Sequence, residues 1–166
     1  MGIHGPGRWA GCLVGSLTAL LMTGTSAPGQ AQGRDDGLPA ALAGSHWELM
    51  EIQSMDDAIG SRRPEQPGLY TLALGADGRA ALRLNCNRAM GRWSASLAGD
   101  GRSGSLQFGP LAMTRALCPP PSLDTQLGRD LGAVRGFALQ EDRLTLSLMA
   151  DGGLLVWRRL DGEPPN

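Results

Sequence analysis

The 166-residue chain contains no lysine; all fifteen of its basic residues are arginine. Aromatic side chains are scarce, with four tryptophans, two phenylalanines and one tyrosine. There are two histidines, His4 and His46, and three cysteines, Cys12, Cys86 and Cys118. Each shortage excludes a class of function. Fifteen basic groups against sixteen acidic ones leave a formal net charge of −1. No stretch concentrates positive charge, so the electrostatic footprint of a nucleic-acid binder is missing. The arginines stand singly along apparent strands and turns, the usual pattern of a solvated face. No apolar run is long enough to span a bilayer. The longest, CLVGSLTALLM at residues 12–22, is about half the length that a spanning helix needs.

That run has the length of a signal-peptide core and follows the basic residue Arg8. Gly29 and Ala31 place small side chains at the two positions a signal peptidase reads, so residues 1–31 are expected to form a leader cleaved after Ala31. Cys12 stands at the beginning of the run rather than its end, which argues against a lipid-anchored product. The mature chain would then be a periplasmic or secreted protein of about 135 residues, enough for one domain with its own core. Its fourteen arginines and sixteen acids give it a charge near −2.

Export bears on the cysteines. The mature chain keeps Cys86 and Cys118, and an even count in an oxidising compartment favours a disulfide. Free thiols and a metal site remain the alternatives at this point. The loop closed by such a bridge, about 33 residues, would be worth roughly 3–4 kcal/mol on the chain-entropy account.

Catalytic constellations are thin. Nucleophilic catalysis by serine or cysteine needs a base. The only histidine left after cleavage, His46, lies beside Trp47 at the start of a strand, and no G-x-S-x-G elbow accompanies it. Cys86, Cys118 and His46 lack zinc-ligand spacing. The paired acids Asp35-Asp36, Asp56-Asp57 and Glu141-Asp142 fall in apparent loops and turns. Residues 99–104, GDGRSG, match a dinucleotide fingerprint in form. That motif works only where it opens a helix, and SLQFGP, which follows, is strand-like. A glycine-rich hairpin tip is the better reading. No catalytic residue, cofactor or metal is expected.

The remaining pattern is one of short strands and turns. Residues 32–44 read as a flexible lead-in and 161–166 as a tail. WELMEI at 47–52 opens the first strand, and a polar proline-bearing loop follows it. LYTLAL at 69–74 and residues 79–84 flank the turn Gly75-Ala76-Asp77-Gly78. Further strands are expected over 92–97, 136–140, 144–149 and 154–160, and SLQFGP at 105–110 is strand-like. One helix is predicted over about 122–134, with Ser122 as N-cap and Asp124 in its first turn. Leu123, Leu127, Leu131 and Val134 would make its apolar stripe. The fold class is therefore mainly β (α+β), a small antiparallel barrel-like sheet with one packed helix.

Asn85-Cys86-Asn87-Arg88, followed by Gly91 and an aromatic residue, resembles the G-C-N-R-x-x-G-x-[YF] signature of the META domain. The segment at 111–118, LAMTRALC, is similar to that family's second signature, with Thr114, Arg115 and Cys118 in place. The resemblance covers about residues 45–160. It departs at Asn85, where the family has glycine, and at Trp93, where it has tyrosine or phenylalanine. Asparagine tolerates a positive φ nearly as well as glycine does. The resemblance implies a cracked β-barrel and an HslJ-type envelope protein linked to stress, without established catalytic activity. Asn85, Asn87, Gly91 and Thr114 would then be structural residues near the cysteines. The expected partner is an envelope protein bound by a monomer. The alternative is an apolar small molecule or lipid carried inside the barrel, as in pilot proteins of similar fold.

Overall fold

The computed structural model describes residues 37–55, 58, 60–66 and 68–162. The leader, the pairs Asp35-Asp36 and Asp56-Asp57, and the last four residues lie outside them. The described chain forms ten strands and one α-helix. They are β1 (Ser45–Gln53), β2 (Ser61–Arg62), β3 (Tyr70–Leu74), β4 (Arg79–Leu84), β5 (Asn87–Leu97), β6 (Ser103–Phe108), β7 (Ala112–Met113), α1 (Asp124–Leu131), β8 (Val134–Gln140), β9 (Arg143–Leu148) and β10 (Leu154–Arg159).

Eight antiparallel strands run in the order β1-β3-β4-β5-β6-β8-β9-β10, and β10 pairs back with β1 to close a barrel. Closure removes the exposed edges that an open sheet would present. The short β2 adds to β1 beyond the end of β3, and β7 pairs with β5. The wall is uneven. β4 pairs with the first half of β5, whereas β6 pairs with the second half, from Trp93 to Leu97. Only Ser103–Ser105 of β6 reach β8.

Alternation sets the two faces. In β4, Ala80, Leu82 and Leu84 are buried while Arg79 and Ala81 are exposed. In β5, Asn87, Ala89 and Trp93 are buried while Arg88, Met90 and Arg92 are exposed. This is the period of two that a half-buried strand demands. The inward residues form one contiguous cluster that includes Trp47, Leu72, Leu106, Leu144, Leu155 and Trp157, all fully buried. Helix α1 adds Leu127 and Leu131 to it.

Three expectations are corrected. The helix spans 124–131 rather than 122–134: the amides of Gly132 and Ala133 bond back to Arg129 and Asp130, and Val134 already begins β8. Ser122 is not the N-cap. Leu123 occupies that position without a side-chain cap, and its N–H donates to the Tyr70 hydroxyl at 2.8 Å. Residues 37–44 are not a loose lead-in. Leu42 is fully buried in the core, its N–H and that of Ala43 donate to the Pro39 carbonyl, and Arg159 donates to the Ala41 carbonyl at 2.8 Å.

Candidate functional site

The residues singled out in the two signatures gather at one corner, where the β4–β5 hairpin meets the segment leading from β7 into α1. Asn85 and Cys86 make the hairpin's two-residue connection, since Leu84 pairs with Asn87. Asn85 has φ +59°, the left-handed conformation that asparagine tolerates best after glycine. Its N–H donates to the Leu69 carbonyl at 2.7 Å and its side-chain amide donates to Ser122 Oγ at 3.0 Å. The next residue, Cys86, is disulfide-bonded to Cys118, with their Cα atoms 5.5 Å apart. This lies inside the range that a bridge requires.

Asn87 is 2% exposed and organises what surrounds it. Its Nδ2 donates to the Ala116 carbonyl and to Asp124 Oδ2, both at 3.0 Å, and approaches Cys118 Sγ at 3.3 Å. Its Oδ1 accepts from the Ala116 N–H at 2.8 Å and from Thr114 Oγ1 at 2.9 Å. Thr114 in turn accepts from the Arg88 N–H at 2.9 Å, and its own N–H donates to the Arg88 carbonyl. One buried amide thus satisfies backbone groups of a segment that has no ladder of its own, which is what buried polar groups must do. Asp124 completes the knot by accepting from Ser122 Oγ at 2.6 Å.

Gly91, farther along β5, is held small by the chain that leads into β7. A Cβ there would sit 2.9 Å from the Pro110 carbonyl oxygen and 2.7 Å from Leu111 Cδ2. The strand therefore accepts the crossing chain only without a side chain. Sequence reading singles out Asn85, Cys86, Asn87, Thr114 and Cys118, which the structure brings together, and Gly91, which packs against Pro110 and Leu111. It missed Tyr70, more than fifty residues from the helix start whose backbone it holds. It also missed the bond between Asp124 and Asn87. Neither has a local sequence signal.

Beside the knot lies a groove of about 440 Å³, lined by Asn87, Met113, Leu117, Asp124, Gly128 and Arg129 among others. Leu117 is 100% exposed at its rim. His46 lies elsewhere, in β1 opposite Ala73, with a buried Nδ1 that has no hydrogen-bond partner. Glu141 and Asp142 make the β8–β9 turn. Among the described residues, no three histidine, cysteine or carboxylate side chains cluster as a metal site would require. The glycine-rich residues 99–104 are the tip of the β5–β6 hairpin. Gly104 lies within β6, where a Cβ would fall 1.9 Å from the Ser96 carbonyl oxygen.

A solved structure of a duf4847 family protein from Bacteroides vulgatus is 13% identical, covers 74% of this chain and 96% of its own, and superposes with a TM-score of 0.49. No curated relative matches the sequence. The META domain profile matches residues 40–161, which include both signatures, the whole barrel and the helix. The chain belongs to the META domain family.

Proposed function

We propose that this is an exported, non-catalytic META domain that acts in the bacterial envelope by binding a partner protein. The observation that carries this reading is the use made of the signature residues. The amide of Asn87 and the hydroxyl of Thr114 are bonded to backbone and to each other. They hold the β7–α1 segment in place and are not free to meet a substrate. That segment exposes Arg115, Ala116 and Leu117, a protruding apolar residue among polar neighbours, which suits recognition better than chemistry. The leader-like residues 1–31 and the disulfide both suit an oxidising compartment. The interior is filled by tryptophan and leucine side chains in one cluster, which favours a packed core over a hollow carrier.

Native mass spectrometry of the protein purified from its own envelope fraction tests the reading. The expected species is a monomer beginning near Gln32, two hydrogens lighter than its reduced mass and free of small molecules. It should be accompanied by a protein partner that is lost in Leu117→Asp. A retained apolar ligand would replace the reading with that of a carrier. An uncut leader would overturn the export argument.

A further inference from the structure

Two pairs of arginines face one another across β4 and β5. Arg79 is directly opposite Arg92, and Arg83 is directly opposite Arg88. Like charges in this position repel and destabilise a sheet. The molecule shows how such a pair is normally relieved. A third pair, Arg143 and Arg158 on β9 and β10, has Glu48 opposite Arg158 on β1, with Glu48 Oε2 2.6 Å from the Arg158 guanidinium. The first two pairs lack this relief. Among the described residues the only carboxylate in ion-pair range is Asp77, 3.5 Å from Arg79 and itself largely exposed. Among the described residues, the side chains of Arg83, Arg88 and Arg92 reach the carbonyls of Asn85, Asn87 and Asp77, at 3.3–3.5 Å.

Between the two pairs runs an apolar row. Ala81 is opposite Met90, and Met90 is opposite Ala112 on β7. All three are exposed, and Met90 is 61% exposed. Residues 79, 81 and 83 share the outer face of β4, and 88, 90 and 92 share that of β5. The four arginines therefore stand at the corners of a patch about 13 Å by 5 Å, with the apolar row across its middle. The chain as a whole is slightly acidic, so the cluster does not reflect a general excess of basic charge.

We propose that this outer face of β4, β5 and β7 docks on an anionic lipid surface. Arginine forks match the oxygens of headgroup phosphates, and the Met90 row supplies the shallow apolar contact of an interfacial protein. A patch on the outer wall of a closed sheet cannot capture a peptide by strand addition at β4, because β4 is paired on both sides. This inference does not rest on the partner-binding reading.

The test is flotation of the full chain with vesicles of phosphatidylcholine alone or mixed about equally with phosphatidylglycerol, at low and high salt. Binding is expected to the mixed vesicles only and to weaken with salt. Arg79→Gln/Arg92→Gln and Arg83→Gln/Arg88→Gln should each weaken it about tenfold or more. Met90→Ser should weaken it further, whereas Arg143→Gln should leave it unchanged. The double variants should melt at or above the wild-type temperature, because repulsion has been removed. The proposal is overturned if the chain ignores mixed vesicles, or binds neutral ones as well. It is also overturned if inorganic phosphate or an acidic peptide is bound in place of vesicles. Double variants that bind like wild type, or that melt well below it, would show that the arginines serve another purpose.

Discussion

The side-chain amide of Asn87 makes five polar contacts with four residues, Thr114, Ala116, Cys118 and Asp124, two of them to Ala116. Asn87→Ala leaves several buried groups without partners and should cost on the order of 3 kcal/mol. Thr114→Val keeps the shape but deprives the Arg88 N–H of its acceptor, and should cost about 1–2 kcal/mol. Urea denaturation would rank the two, and equal stability of both variants with wild type would refute the structural role. The buried tryptophans offer a finer comparison. Trp47 Nε1 donates to Ser45 Oγ at 2.7 Å and Trp93 Nε1 to the Gly75 carbonyl at 3.1 Å, but Trp157 Nε1 has no partner. Replacement by phenylalanine should therefore be about 1–3 kcal/mol milder at Trp157 than at Trp47, measured by thermal melting. That these residues are buried was readable in the sequence, because apolar alternation marks the inner face. Which indole lacks a partner was not, because that depends on how distant strands meet.

The disulfide ties two element junctions, one in the hairpin and one ahead of the helix. With its cysteines 32 positions apart in sequence, replacing both with serine should cost roughly 3–4 kcal/mol. Faster amide exchange in α1 than in the barrel strands would locate the loss; uniform loosening would contradict it. Gly91→Ala should cost about 1–3 kcal/mol, because backbone of the crossing segment must move. At the tip of the β5–β6 hairpin, the N–H groups of Arg102 and Ser103 and the Ser103 hydroxyl donate to Asp100 and hold its carboxyl below the usual carboxylate range. A folded pKa lowered in this way stabilises the tip above the unfolded value of about 3.9, and the benefit fades as pH falls through the folded value. A side-chain NMR titration of Asp100 should have its midpoint below the ordinary aspartate value, and Ser103→Ala should raise it; an ordinary midpoint that the substitution does not move would refute the turn's role. Strands β3, β4, β9 and β10 follow the sequence pattern closely because turn residues and alternation are local signals, whereas residues 87–91 of β5 and the two-residue β7 are not legible as strands, because it is pairing with other segments that makes them so. The helix was overextended because Val134 continues its apolar spacing even though the chain has already turned at Gly132. Ser122 was misassigned as the cap because the group that serves Leu123, Tyr70, arrives from another strand.

For the molecule as a whole, the fold class was legible because every strand carries its own period and turn, whereas the arginine patch was not. Singly placed arginines read as ordinary surface residues, and only register makes Arg79 face Arg92 and Arg83 face Arg88. Register is a property of paired strands, and no single stretch of sequence contains it. Ring closure has a consequence for the life of the chain. The strand that seals the barrel, β10, is made last, and its partner β1 is made first. During synthesis β1 has only β2 and β3 beside it, and its other side stays open until residue 159 emerges. Such a chain is expected to gain its full stability only when β10 is present to pair with β1. Chains ending before Leu154 should therefore show no cooperative unfolding by circular dichroism, whereas chains ending after Leu160 should regain it; a folded product from the shorter chains would contradict all-or-none closure.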